Sequence, residues 1–149
     1  MAETTTGSTA ATTAQAFAAR GKVTAVKDGM VHFAPAGTNY ELHLAAPGYA
    51  GPVSASTRGL IHLVARKVWT VPSGGNFIAP IFGTPRTVQG MIRAIADRSI
   101  VVHAGVPMVV ELPASESGYD LANGSLRVGA MVNIMVMPGA RFEAAPAAR

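Results

Sequence analysis

Short segments in which apolar and polar residues alternate follow one another along the chain from about residue 20 onward. In MVHFAP (30–35) the apolar residues Val31 and Phe33 are separated by His32, and YELHL (40–44) continues the pattern. Alternation with period two, together with many β-branched and aromatic residues, is typical of strands that bury one face. Stretches rich in glycine, proline and asparagine lie between these segments, as hairpin turns require. The pattern therefore predicts an all-β chain.

The alternating segments occur twice, in the same order. GKVTAVKD (21–28) and GMIRAIAD (90–97) share the form Gly-x-Φ-x-Ala-Φ-x-Asp, in which Φ is aliphatic. Four further pairs follow: MVHFAP with SIVVHA, YELHL with VVELP, KVWTVP with NIMVMP, and NFIAP with RFEAAP, so that Phe77 corresponds to Phe142. Five correspondences in order indicate an internal duplication.

The pattern within each copy predicts a meander of three strands, an irregular crossover and a final hairpin. This order resembles the OB-fold and related small five-stranded barrels, with the helix before the fourth strand reduced to a loop. The resemblance covers about residues 20–146 and implies two tandem OB-like barrels. One larger barrel that interleaves both copies is the alternative. Closure in either arrangement would remove the unpaired strand edges that so apolar a chain has to protect.

Four parts of the chain follow from this organisation. They are a flexible arm at 1–19, a first barrel repeat at 20–84, a second at 85–146 and a C-terminal tail at 147–149. Residues 1–18 carry six threonines, six alanines and a single charge, so they have little apolar surface to bury. An arm that becomes ordered on a partner is the alternative to one that stays mobile.

The glycine- and proline-rich stretch VPSGGNFIAPIFGTPRTVQG (71–90) lies between the two copies. It lacks the Lys-Ser/Thr pair of a phosphate-binding P-loop, and no predicted helix follows it. Proline suits a linker or a strand edge and not a central strand. We therefore interpret this stretch as the last turn and strand of the first copy followed by a linker.

Charged residues are scarce. They make up 13% of the chain, against about 25% in ordinary soluble domains, while hydrophobic residues make up 49%. So few charges cannot cover the surface of a small protein. Either much of that surface consists of alanine, glycine and threonine, or part of it is buried against something else. Because the chain has no cysteine, disulfides, thiolate zinc sites and a cysteine nucleophile are excluded.

Neither a membrane span nor a secretory signal is expected. No apolar run approaches the roughly 18 residues that a membrane helix needs. The segment MAETTTGSTAATTAQAF (1–17) has no basic region followed by an apolar core. We therefore expect no membrane insertion and a cytoplasmic location.

Two histidines and one glutamate form the most specific cluster of chemistry-bearing residues. If PAGTN (35–39) closes its hairpin symmetrically, His32 and His43 lie opposite each other, and Glu41 shares their face. The neighbouring apolar positions would point inward, so that the trio faces outward. Two imidazoles and a carboxylate can hold zinc or a similar cation. An ordinary polar outer face is the preferred interpretation because no ligand spacing here is diagnostic, metal binding is the alternative, and no cofactor is expected.

We expect no enzymatic activity. His62 lies in an apolar strand, where a structural role is the simpler interpretation. The Ser and Asp residues of SESGYDLANGS (115–125) have neither a base nor an oxyanion turn placed beside them.

Nucleic-acid binding is one interpretation of the net charge of +4 and of the basic stretch Arg58–Arg98. The candidate patch consists of Arg66, Lys67, Trp69, Arg86 and Arg93. Trp69, however, shares its predicted strand face with apolar residues, which places it in the core. The outer face that OB-folds use for nucleic acid lacks aromatic side chains in both copies.

Protein binding is the preferred interpretation. Val101 and Val109 fall on a face of the second copy that is predicted to be exposed, and Phe82 falls in a linker. Apolar side chains in such places indicate surface that a partner covers. We therefore predict a non-catalytic structural or protein-interaction module that forms part of a homo-oligomer or of a larger assembly.

Overall fold

A computed structural model describes residues 17–144. The predicted arm at 1–19 lies mostly outside the described residues, and the predicted tail at 147–149 lies wholly outside them. The described residues contain strands and a short 3-10 turn (Glu116–Gly118) and no α-helix, which confirms the all-β prediction. The strands are β1 (Ala19–Lys27), β2 (Met30–Pro35), β3 (Glu41–Ala45), β4 (Ser56–Val71), β5 (Phe77–Ala79), β6 (Phe82–Gly83), β7 (Thr87–Ile95), β8 (Ser99–His103), β9 (Pro107–Glu111), β10 (Tyr119–Asp120), β11 (Met131–Val136) and β12 (Arg141–Ala144).

All strands belong to one mixed sheet. Its main path runs β1-β2-β3-β12-β4-β11-β7-β8-β9, and β10, β5 and β6 pair with β4, β7 and β3 respectively. Two further pairings, β1 with β4 and β4 with β9, join both ends of the path to β4. The sheet therefore has few free edges, and β4 is its common element.

The 16-residue strand β4 connects the two copies of the sequence repeat. Its first part pairs with β1 of the first copy, and its last part pairs with β11 of the second. Between them, residues 59–62 pair with β12, which also lies parallel to β3. The last strand of the second copy thus lies among strands of the first, across the predicted boundary at 84/85.

The prediction that the last two strands of each copy form a hairpin is wrong. β5 pairs with β7 and not with β4, while β12 pairs with β3 and β4 and not with β11. Both edges of β4 are already occupied, because Gly59 pairs with β1 and β12, His62 with β9 and β12, and Trp69 with β10 and β11. The turn after β4 therefore carries β5 away from it.

One hydrophobic cluster fills the interior and draws on both copies. In β2 and β3 the predicted alternation is confirmed, since Val31, Phe33, Leu42 and Leu44 are fully buried. Phe142 of β12 packs on Phe33, with ring centroids 4.8 Å apart. A shared core means that neither copy encloses its apolar side chains alone.

A change of phase in β4 places Trp69 outside the core, contrary to the prediction. Up to Ala65 the odd-numbered residues are buried, but beyond it Val68 and Thr70 are buried instead. The change falls on the exposed pair Arg66 and Lys67, opposite the irregular pairing of β11. An extra residue in one strand of an antiparallel pair moves all following side chains to the other face. Trp69 is therefore half-buried on the outer face of the sheet.

The repeated glycine and its neighbourhood have the same structure in both copies. A Cβ on Gly21 would overlap the backbone of β2, and one on Gly90 would overlap the backbone of β8. Three residues after each glycine, the pairing with the following strand is irregular, at Thr24 in β1 and at Arg93 in β7. The repeat motif thus encodes a close approach of two strands followed by a bulge.

Candidate functional site

His32 and His43 lie directly opposite each other on the outer face of β2 and β3, as the sequence predicts. Their rings are stacked, with centroids 3.8 Å apart and an interplanar angle of 8°. The register follows from the turn between the two strands, which pairs His32 with His43 while the flanking residues point into the core. Two imidazoles are thus held side by side by the backbone itself.

Glu41 completes the trio from the same face of β3. Its Oε2 lies 3.6 Å from His32 Nδ1 and 3.9 Å from His43 Nε2. The other carboxylate oxygen, Oε1, accepts a hydrogen bond of 3.2 Å from Thr24 Oγ1. Thr24 is the bulged residue of β1, and this bulge directs its hydroxyl at the carboxylate. Thr24 is a residue that the sequence interpretation missed, because nothing in the sequence marks the bulge.

Phe82 covers one side of the histidine pair. β6 pairs with β3 so that Phe82 lies beside Glu41. Its ring meets the ring of His43 edge-on at 4.7 Å, and it remains 63% exposed. The residue predicted to lie in a linker is therefore part of a strand and forms an apolar wall of the histidine site.

The environment of His43 favours the neutral imidazole. Burial lowers the pKa of His43, the neighbouring His32 lowers it further, and Glu41 partly opposes both effects. His43 Nε2 is buried and has no hydrogen-bond partner among the described residues. A neutral ring nitrogen with a free lone pair is the form of histidine that binds metal ions.

The second copy carries valines where the first has histidines. Val101 and Val109 are paired across β8 and β9 as His32 and His43 are across β2 and β3. The prediction that both valines are exposed is wrong, because Val101 is only 7% exposed and Val109 is half-buried. The two side chains shield each other, and His62 of β4 lies next to Val109. The histidine site is therefore specific to the first copy among the described residues.

A second candidate surface is the outer face of the four neighbouring strands β4, β11, β7 and β5, here called the methionine face. Paired residues lie on the same face of a sheet, so its members follow from the strand registers. They are Lys67, Trp69, Val71, Phe77, Ala79, Thr87, Gln89, Met91, Met131, Asn133 and Met135. The residues between them, such as Val88, Val132 and Ile134, are fully buried. Met91 and Met135 are each 39% exposed and Phe77 is 38% exposed.

The predicted basic residues border this face. Lys67 and Trp69 belong to it, Arg66 and Arg86 adjoin it in sequence, and Arg93 lies two residues beyond Met91. All four cations are exposed. Arg93 also lies close enough to His103 to affect its titration. Burial is the main cause that lowers the pKa of His103, and the charge of Arg93 is the second. The structure thus places Lys67 and Trp69 on this face, with Arg66, Arg86 and Arg93 next to its members along the strands, and leaves Phe82, Val101 and Val109 elsewhere.

The methionines of this face were missed by the sequence interpretation. Met131 and Met135 alternate with buried residues of β11, a signal that is visible in the sequence. Their position beside Met91 and Trp69 depends on the pairing of β11 with both β7 and β4, which no local pattern predicts. A polar atom also lies within the face, since Asn133 Oδ1 is buried and has no hydrogen-bond partner among the described residues.

Comparison with known proteins adds no relative, since no family model, curated protein or solved structure matches the chain. Among residues 17–144, no helix has the length and apolar character needed to cross a membrane.

Proposed function

We propose that the protein is a non-catalytic structural or protein-interaction module that binds protein through the methionine face. The proposal is carried by the composition of that face. Of its eleven residues only Lys67 is charged, whereas Trp69, Phe77 and three methionines are among the others. An outward sheet face of this kind leaves apolar area in water that a partner would cover.

The residues of this face suit a binding surface for physical reasons. Methionine side chains are flexible and polarisable, so they adapt to the shape of a partner. Aromatic side chains bury a large area for few rotatable bonds, which concentrates binding energy at Trp69 and Phe77. The middle row of the face joins Trp69 and Phe77 through the amides Asn133 and Gln89. The exposed arginines at 66 and 86 adjoin the face in sequence, and Arg93 follows Met91 by two residues. Aromatic and apolar side chains mixed with polar groups and bordered by charge are typical of protein interfaces.

Assembly through this face is tested by changing Met91 to glutamate. We expect the wild-type protein to give a mass above that of the single chain in size-exclusion chromatography with light scattering, or to recover a protein partner in affinity purification. Met91→Glu places a charge beside Met131 within the face, and burying an unpaired charge opposes association. We therefore expect the variant to lose the assembly.

The matched control is Val53→Glu. Val53 is 50% exposed and lies outside the methionine face, so a charge there is expected to leave assembly unchanged. A wild-type protein that stays monomeric at all concentrations and recovers no partner would contradict the proposal. An assembly that survives Met91→Glu as well as it survives the control would contradict the assignment of the face.

We also propose that each copy contributes to an OB-like five-stranded ring and that the two rings share β4. The pairing of β4 with β1 supports a first ring of β1, β2, β3, β12 and β4. Its pairing with β9 supports a second ring of β7, β8, β9, β4 and β11. The shared strand would hold the two rings in a fixed relation, as a structural module needs.

Binding of single-stranded nucleic acid is a second candidate function, favoured by the outward position of Trp69. A base can stack on an exposed indole while nearby cations contact phosphates. Lys67 lies on the same face as Trp69, and Arg66 is adjacent and exposed. Asp120 of β10 pairs with Trp69 and places one carboxylate on the same face beside these cations.

Fluorescence anisotropy with labelled single-stranded DNA and RNA tests this second function. We expect binding at low salt that weakens as salt rises, and a loss of about 1–3 kcal/mol for Trp69→Ala. Phe82→Ala is the control, since Phe82 is exposed but lies outside the methionine face. No change in anisotropy at low salt, or equal losses in the two variants, would remove this function.

A further inference from the structure

We propose that His32, Glu41 and His43 form a binding site for a divalent transition-metal ion of the Zn²⁺ class. The geometry carries this inference, which is independent of the methionine face. One ligand atom from each residue lies within 4.8 Å of the other two. Two imidazole nitrogens and one carboxylate oxygen are a donor set that zinc favours, and a fourth position remains for water.

Metal binding requires the three ligand atoms, which now lie within 4.8 Å of one another, to move closer together. In a tetrahedral zinc site with ligand bonds of about 2.0–2.2 Å, ligand atoms are about 3.3 Å apart. Glu41 Oε2 lies 3.6 Å from His32 Nδ1 and 3.9 Å from His43 Nε2. The stacked rings would tilt towards each other so that both lone pairs meet at one ion. Side-chain torsions supply this movement, since all three side chains are about one quarter exposed.

Neighbouring residues position the three side chains and leave one ring nitrogen without a partner. His43 Nε2 is a buried nitrogen without a hydrogen-bond partner, which is costly unless something occupies its lone pair. Thr24 Oγ1 lies 3.2 Å from both the far oxygen of Glu41 and the carbonyl oxygen of His32, so its one proton connects the carboxylate with the histidine strand. Phe82 shields His43 from one side and lowers the local dielectric. A lone polar outer face would need none of these features.

The second copy supports the same interpretation by contrast. The positions equivalent to His32 and His43 are Val101 and Val109, which cannot bind metal. The residue two before Val109 is Pro107, where the first copy has Glu41, so the strand pairing aligns YELHL with VPMVV (106–110) and not with VVELP as the sequence predicted. The three donor residues are therefore present together in one copy and absent together in the other, although the backbone register is the same.

Titration of the full-length, tag-free protein with Zn²⁺ after removal of metal by a chelator tests the site. We expect one Zn²⁺ per chain by calorimetry or by competition with a chromophoric chelator, and visible absorption bands with Co²⁺. His43→Ala is expected to weaken Zn²⁺ binding by more than about 100-fold, and Thr24→Val by about 10-fold through the carboxylate. Glu41→Gln keeps the side-chain shape and is the variant to use if an alanine variant fails to fold.

His62→Ala is the matched control. His62 Nε2 lies 2.8 Å from Glu143 Oε1, so it also pairs with a carboxylate, but among the described residues it belongs to no group of three possible metal ligands. Its loss is expected to leave Zn²⁺ binding unchanged. The proposal is overturned if the wild-type protein binds no Zn²⁺, or if His43→Ala and Glu41→Gln bind it as tightly as His62→Ala does.

Discussion

Replacing Phe142 by alanine is expected to lower the free energy of unfolding by about 3–5 kcal/mol, as for other buried aromatic residues. The ring is 5% exposed, packs on Phe33 at 4.8 Å and lies over Gly59 of β4. Its removal leaves a cavity in the core of the first copy, although Phe142 belongs to the second copy in sequence. Equilibrium denaturation in urea or guanidinium measures the change.

The matched control is Phe77→Ala, at the corresponding position of the first copy. Phe77 is 38% exposed on the methionine face, so its loss is expected to cost at most about 1 kcal/mol. If the repeat alone decided the environment of each residue, the two variants would be equally destabilised. Equal effects would therefore contradict the placement of β12 between β3 and β4.

Replacing Gly90 by alanine is expected to destabilise the protein by about 1–3 kcal/mol, the range for overpacked interiors. The added methyl group would overlap the carbonyl of His103 and lie 2.9 Å from Val102 Cγ1. Backbone atoms cannot move aside as a flexible side chain can, so β7 and β8 would have to separate. Thermal or chemical denaturation measures this loss, and Gly21→Ala is expected to behave in the same way in β1.

Gly75→Ala is the control for the glycine prediction. A methyl group at Gly75 meets no heavy atom within 4 Å, and its expected effect is within about 0.5 kcal/mol. A Gly90→Ala variant as stable as Gly75→Ala would show that β7 and β8 do not approach each other closely at this position.

The candidate metal site was predictable because it depends on local features. The turn between β2 and β3 fixes their register, and alternation then places the histidines outward and opposite each other. Thr24 and Phe82 reach the site from a bulge and from a distant strand. Neither contact follows from the pattern of the sequence, so only the ligands themselves could be predicted.

The interpretation of Trp69 shows where alternation fails. The period-two pattern of β4 is correct on each side of Arg66 and Lys67, but its phase changes between them. An extra residue reverses every later side chain while leaving the local composition unchanged. The methionine face could therefore not be predicted from the sequence, because its members depend on the phase of β4 and on the pairing of β11.

The all-β class, the inward and outward positions of β2 and β3, and the pairing of His32 with His43 follow from local patterns in the chain. These features depend on backbone periodicity and on short turns, which act between neighbours in the chain. The pairing of β12 with β3 and β4, the pairing of β5 with β7 and the outward position of Trp69 arise only when the whole sheet is assembled. Several strands that are far apart in the chain could pair with the same edge of a neighbouring strand. Which of them pairs there depends on the packing of the whole core.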